Sequence, residues 1–221
     1  MKKIKSIVFD FDGVIKESVD IKTKAFSDLY SQYGKRILNK VLNHHLQNGG
    51  VSRYNKIKFY HKNFLKIKLS DIELHKLTNQ FSEIVLYKVI EAPFVNGAKS
   101  FIKNNCKKYT MFISTGTPTH EIHQIIKKNK IDHYFTAVFG SPESKIDHLN
   151  QIINKWKINK EEMVFIGDSI TDRNASNHYG IKFIAVNNKS DGELINEKNR
   201  ISDLSELKKM INSIDDNNET N

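Results

Sequence analysis

The sequence predicts an α/β protein, a three-layer parallel sheet core into which a bundle of helices is inserted. Three observations predict it. From Pro93 onward, short apolar runs rich in β-branched residues alternate with helical stretches, the order that builds a parallel sheet covered on both faces. Residues 18 to about 91 show only helical periodicity, with no strand between helices. A first strand, Ile4 to Phe9, precedes that block, so the block reads as an insertion within the sheet domain.

Each element has its own signal. Ile4 to Phe9 is short and apolar, suited to a buried parallel strand. Val19, Phe26, Leu29, Tyr30 and Tyr33 form one helical face over 18–33, closed by Gly34. Ile37, Val41, Leu42 and Leu46 mark a second helix that stops at Gly49-Gly50, and Tyr54, Ile57, Phe64 and Leu65 a third from Ser52. Ser70-x-x-Glu73 is a capping box that opens a fourth, through Val89. After Pro93 the expected order is helix 97–105, strand 109–114, helix 119–129, strand 135–139, helix 145–157, strand 163–166, helix 172–179, strand 183–186 and a last helix 204–214. Pro93, Pro118 and Pro142 are expected outside all of these. The polar stretch 215–221 is expected to be disordered.

Composition narrows the function classes. No apolar run approaches the length of a membrane span, and the basic start Met-Lys-Lys-Ile-Lys leads into a strand rather than a signal peptide's apolar region. The single Cys106 cannot form an internal disulfide, which is consistent with a cytoplasmic protein. Net charge is +10, but it comes from 31 lysines and only 4 arginines spread along the chain, without a nucleic-acid recognition motif. The expectation is a solvated basic surface that attracts small anions, with no nucleic-acid or membrane partner, on a monomer or homodimer.

Polar residues gather just after the strands. Asp10 and Asp12, spaced i, i+2, follow the first strand, and Gly13 lets the backbone turn away. Ligands of open α/β sheets sit beyond the carboxyl ends of the strands, although two acids there also suit a simple turn cap. Close acids repel, so they stay ionised only beside a cation or divide a proton between them. Ser114-Thr115-Gly116-Thr117 offers a hydroxyl and backbone N–H groups to an anion, or merely an N-cap to the next helix. Lys145 follows another strand. Gly167-Asp168-Ser169-Ile170-Thr171-Asp172 brings two more carboxylates to a strand end, which suits Mg²⁺, a cation that takes oxygen ligands.

Asp-x-Asp-Gly, Ser-Thr, Lys and Gly-Asp-Ser-x-x-Asp, in that order and over almost the whole chain, resemble the haloacid dehalogenase superfamily. The resemblance implies a Rossmann-like core at 1–16 and 93–214 with a mobile helical cap at 17–92, of the phosphoglycolate phosphatase and β-phosphoglucomutase type. It implies a Mg²⁺-dependent phosphatase acting on a small phosphorylated metabolite. Asp10 would be the nucleophile that forms an aspartyl-phosphate, and Asp12 the general acid and base. A carboxylate oxygen of Asp10, the backbone carbonyl of Asp12 and Asp168 would hold the metal. Asp172, with Ser169, would stand behind it. Ser114 and the backbone of Thr115 and Gly116 would hold the phosphoryl oxygens, and Lys145 would balance the charge. An acid at Asp12 favours phosphoryl transfer over dehalogenation.

In similar caps a Gly-x-x-Arg loop selects the substrate, and Gly50 to Arg53 fits that pattern. Arg53 would contact a carboxylate or second phosphate, or else point to solvent at the start of a helix. Lys56, one turn on, adds to the same anion patch. Lys16, Glu17 and Lys22 fall in or beside the outgoing linker, as hinge or rim. A sugar phosphomutase is the alternative, because Asp-Gly-Val-Ile resembles the mutase form of the first motif. Lys22 stands near the place where such mutases carry a His. A non-catalytic anion-binding or nucleic-acid protein is the remaining reading, and the intact acids speak against it.

Overall fold

Helix and strand alternate from Ala98 onward, and the four helices before that point come without a strand. The computed structural model describes residues 3–186 and 194–217. In chain order these form β1 (Ser6–Phe9), α1 (Val19–Tyr30), α2 (Lys35–Gln47), α3 (Arg53–Phe59), α4 (Asp71–Glu91), α5 (Ala98–Asn105) and β2 (Thr110–Pro118). There follow α6 (Thr119–Lys128), β3 (Ala137–Ser141), α7 (Lys145–Trp156), β4 (Met163–Gly167), α8 (Ile170–Tyr179), β5 (Lys182–Val186), β6 (Arg200–Ile201) and α9 (Leu207–Asn217). Among the described residues the strands make one six-stranded sheet, order β3-β2-β1-β4-β5-β6. All its pairings are parallel.

Alternating strand residues build the two faces. Ile7 and Phe9 of β1, Ile113 of β2 and Ile166 of β4 join one apolar cluster with α5, α6 and α9. Val8, Phe112 and Phe165 join a second with α7 and α8. Each strand is therefore buried on both sides, which explains its near-continuous apolar sequence. Phe9 pairs with both Ile113 and Ile166, so β1 and β4 end nearly level, while β2 runs on past them to Pro118. The residues that follow β1 and β4 leave the sheet side by side.

The helical block packs around Phe26, Tyr30, Val41, Tyr60 and Phe81 and continues into the first cluster. Its chain leaves and returns at one place: Lys16 bridges Phe94, and the Val95 N–H donates to Ile15 O at 3.0 Å. Lys16 is buried there, with Nζ 3.0 Å from both Ile90 O and Asn129 Oδ1 and over the Phe94 ring. The Ser70–Glu73 capping box is formed.

Several boundaries shift from their expected places. β2 runs on through Pro118, where its register against β3 is irregular and the missing N–H costs no regular ladder bond. β3 starts at Ala137, because Asp132–Tyr134 form a 3₁₀ turn. α8 begins at Ile170, two residues early. α3 passes into a π-helical stretch, Tyr60–Leu65. The short β6 was not foreseen. α9 starts later and reaches Asn217, so residues 215–217 are helical, and Asp215 accepts the Ile4 N–H at 2.9 Å. The rest of the expected tail, 218–221, lies outside the described residues.

Candidate active site

The ends of β1 and β4 and the first turns of α7 and α8 bring three acids and an amine together. Asp10 leaves β1, Asp168 leaves β4, and Asp172 reaches back from the first turn of α8. Their carboxylate oxygens lie within 4.8 Å of one another. Lys145, the first residue of α7, is placed by the Ser144–Asp147 capping box. Its buried ammonium lies 3.1 Å from Asp10 Oδ1 and donates to Asp172. Asp172 also accepts from the Ser169 backbone N–H at 3.1 Å and from its hydroxyl at 2.5 Å. Gly13, with φ +81°, is required at its position, since a Cβ would stand 2.2 Å from Asp168 Oδ2.

This cluster has more negative charge than Lys145 neutralises. Burial pushes Asp10 up to about 7; Lys145 pulls it down, and Asp172 and Asp12 add to the rise. Burial and then Asp10 raise Asp168 well above the usual carboxylate value. Burial disfavours the Lys145 charge, yet Asp10 and Asp172 hold it above the ordinary lysine value. Asp10 Oδ1, although near Lys145, is buried without a hydrogen-bond partner. Crowded, desolvated oxygen donors with one oxygen unsatisfied fit a hard divalent cation such as Mg²⁺.

Asp12 stands apart with its own partners. It accepts from Ser18 Oγ at 2.6 Å and from Thr117 Oγ1 at 3.1 Å, and it forms an ion pair with Lys22. Burial alone would raise its pKa; Lys22, Ser18 and Thr117 outweigh burial and hold the carboxyl below its usual value. Lys22, expected at the linker or rim, is thus tied directly to the second acid.

Ser114 is redirected. Its buried hydroxyl lies 2.8 Å from His148 Nδ1, and His148 Nε2 lies 3.2 Å from Gly140 O. The ring donates to Gly140 and accepts from Ser114, so the serine braces α7 against β2 and β3 instead of facing the acids. Successive strand residues point to opposite faces, and one step along the chain reverses the assignment. Thr115 is the neighbour on the other side; its Oγ1 accepts the Thr117 N–H at 3.2 Å.

The helical block closes over this rim. Thr171 Oγ1 donates to Gly49 O at 2.7 Å. Gly50 has φ +75°, and a Cβ there would meet Thr171 Oγ1 at 2.3 Å and Lys145 Nζ at 2.8 Å. A Cβ on Gly116 would meet Gly50 O at 2.3 Å. Between block and sheet lies a cavity of about 810 Å³, lined by Asp10, Asp12, Asp168, Gly116 and, from the helices, Lys22, His45, Arg53 and Lys56 among others.

Arg53 lines this cavity, but its guanidinium is not free. Nη1 and Nη2 donate to the two carboxylate oxygens of Glu121 at 2.9 and 2.6 Å, and Nη1 also reaches Ser82 Oγ at 2.7 Å. The Phe81 ring lies beneath it, 4.6 Å from centroid to Cζ. Glu121 belongs to α6, so the pair ties helical block to sheet domain. The alternative of pointing to solvent gives way to a buried interface, at the edge of the cavity where the expected substrate contact would be made. Glu121 carried no usable signal, because an acid in the first turn of a helix is ordinary. Lys22 did carry one: it lies between Val19 and Phe26 on the apolar stripe of α1.

A family profile described as haloacid dehalogenase-like hydrolase matches residues 7–186. A phosphorylated carbohydrates phosphatase of Thermotoga maritima is 22% identical over 209 residues, covering 90% of this chain and 93% of that protein. A predicted phosphoglycolate phosphatase from Haemophilus somnus superposes with a TM-score of 0.73 at 17% identity, over 95% of this chain and 99% of the other. A Bacillus subtilis protein classed as a hydrolase of this kind, solved with bound magnesium and showing interdomain movement, gives 0.72 at 16% identity over 96% and 100%. No helix among the described residues is long and apolar enough to cross a membrane. Sequence profile, sheet order and the convergence of strand-end acids agree: the chain belongs to the haloacid dehalogenase-like hydrolases.

Proposed function

We propose that the protein is a Mg²⁺-dependent phosphatase of small phosphate monoesters, of sugar phosphate or phosphoglycolate type, working through an aspartyl-phosphate. One observation carries this reading: Asp10, Asp168, Asp172 and Lys145 converge beside a cavity that Asp10 and Asp168 help to line. Asp10, Asp168 and the Asp12 main chain would hold the cation, which when bound neutralises the carboxylates and the phosphoryl charge.

Asp10 attacks phosphorus; its new O–P bond forms as the bond to the leaving oxygen breaks, and Asp12 gives that oxygen its proton. Water then attacks phosphorus while Asp12 takes a proton from it. The O–P bond to Asp10 breaks, releasing inorganic phosphate and restoring the carboxylate. Lys22 keeps Asp12 ionised in the free protein, the form needed for the second step. A substrate dianion beside Asp12 raises its proton affinity for the first. Lys145 offsets charge on Asp10 and on the transferring group. The main chain of Thr115 and Gly116 faces the phosphoryl oxygens, with Asp172 and Ser169 fixing Lys145 behind them.

Residues 17–92 act as a cap. Its Gly49-Gly50 loop sits against Thr171 and Lys145, so the closed form excludes bulk water, and product release requires opening. The test is phosphate release from sugar phosphates, phosphoglycolate and nucleotides with and without Mg²⁺. Mg²⁺-dependent release is expected, without a bisphosphate product. Release that persists in excess chelator, or none from any ester, would reject the proposal.

A further inference from the structure

We propose that Lys56, seated on His45, is the specificity-determining residue of the cap, and that it binds an acidic group, carboxylate or second phosphate, on the leaving part of the substrate. This rests on the phosphatase reading of the same cavity.

Buried charges in proteins are normally paired. Of the lysines and arginines lining the cavity, Lys22 is paired with Asp12 and Arg53 with Glu121. Among the described lysines and arginines of the lining, Lys56 alone has no carboxylate partner. Its side chain is nevertheless deep: the residue is 3% exposed. Nζ lies 2.8 Å from His45 Nδ1 and 3.2 Å from His45 O. An ammonium has three N–H donors, and these contacts use two. The third is left for a ligand.

The surroundings give the ligand its sign. Burial, with Lys22 and Lys145 nearby, pushes Lys56 down to about 7, against the pull of Asp12 and Asp168. Burial and the same lysine drive His45 down to about 3, so its ring is neutral and accepts from Lys56 at Nδ1. A half-protonated amine with no counter-ion, at the edge of a cavity already holding the reacting acids, is completed by an anion. Arg53, the other cap cation with the reach for that task, is occupied by Glu121. The recognition of a second acid therefore moves one helical turn along α3.

The decisive experiment compares Lys56→Met and Lys56→Gln with the wild type in two assays. In the first, kcat and KM are measured for 2-phosphoglycolate, a sugar bisphosphate, glycerol phosphate and an aryl phosphate, the first two arms separating carboxylate from phosphate. The wild type is expected to favour an acidic substrate over glycerol phosphate by about 10- to 100-fold in kcat/KM, the range of one charged hydrogen bond. Both variants are expected to lose most of that ratio through KM. In the second, calorimetry measures binding of phosphonoacetate and methylphosphonate with Mg²⁺ present. The variants are expected to lose about tenfold in affinity for phosphonoacetate relative to methylphosphonate. An unchanged ratio in variants that melt cooperatively would overturn the role of Lys56. Selective loss of phosphonoacetate binding, with no ester hydrolysed by any form, would uphold Lys56 and reject the phosphatase reading instead.

Discussion

Asp10 and Lys56 show how differently two buried charges can be used. Asp10 sits among acids and one lysine, and in the proposed reaction it supplies the attacking oxygen. Asp10→Asn keeps the shape and removes the proposed nucleophile. It is expected to lower kcat by at least about 10⁴-fold with no loss of cooperative unfolding. A phosphate-release assay beside a melting curve checks this; near-normal turnover would refute the nucleophile assignment. Lys56 carries a stability cost. Its folded pKa, about 7, lies below the ordinary lysine value of 10.5. Between those values the unfolded chain binds the extra proton, so this group's penalty is full below about 7 and fades as pH rises toward 10.5. Lys22, Lys145, Asp12, Asp168 and His45 face it and set that interval. Lys56→Met is therefore expected to melt higher than the wild type at pH 6, with the gap narrowing by pH 10. A constant gap would mean that the amine is not buried as a charge. At this scale the acids of the first and last motifs were legible, because acids beside a glycine at strand ends are chemically odd; Lys145, one lysine among 31, was legible only through the order of the family's motifs. The serine and threonine of the second motif were not separable, since a one-residue difference in register decides which face each takes.

At the scale of elements, the helices were plain in the sequence and their junctions were not. Periodicity found all four cap helices, because their apolar stripes are continuous. The tie between α3 and α6 was invisible, since nothing local to Arg53 or Glu121 says that they meet across 68 residues. Glu121→Ala leaves a buried guanidinium unpaired, and a loss of about 3–5 kcal/mol is expected in urea unfolding. Replacing both partners with apolar residues is expected to recover much of it. A negligible single-mutant effect would show that the cap–core contact does not form in solution. The Gly50 loop makes a second case. Gly50→Ala requires an unfavourable positive φ and places a methyl against Thr171 and Lys145. It is expected to hold the loop away from the rim and to raise KM by about tenfold. Unchanged KM would mean that the loop is not part of the closed site.

Across the whole molecule, the alternating order of strands and helices was enough to specify a parallel sheet. The adjacent ends of β1 and β4 then dictate where the chemistry gathers. The acids so gathered repel one another, so by themselves they oppose folding, and a bound cation is expected to relieve that repulsion. Millimolar Mg²⁺ is expected to raise the melting temperature, by mass action on the folded state, and EDTA to reverse the rise. Asp168→Asn is expected to blunt this response. An identical rise in that variant would place the cation elsewhere.

The bridge between Lys16 and Phe94 has a bearing on how such a protein can change over time. Because the outgoing and returning chains are already neighbours there, the sheet experiences everything between them as a loop with almost no span, whatever its length. Helices can be lengthened, traded or rebuilt in that loop without shifting a single strand pairing. Substrate preference can thus diverge quickly while the bond-breaking apparatus beneath it stays still.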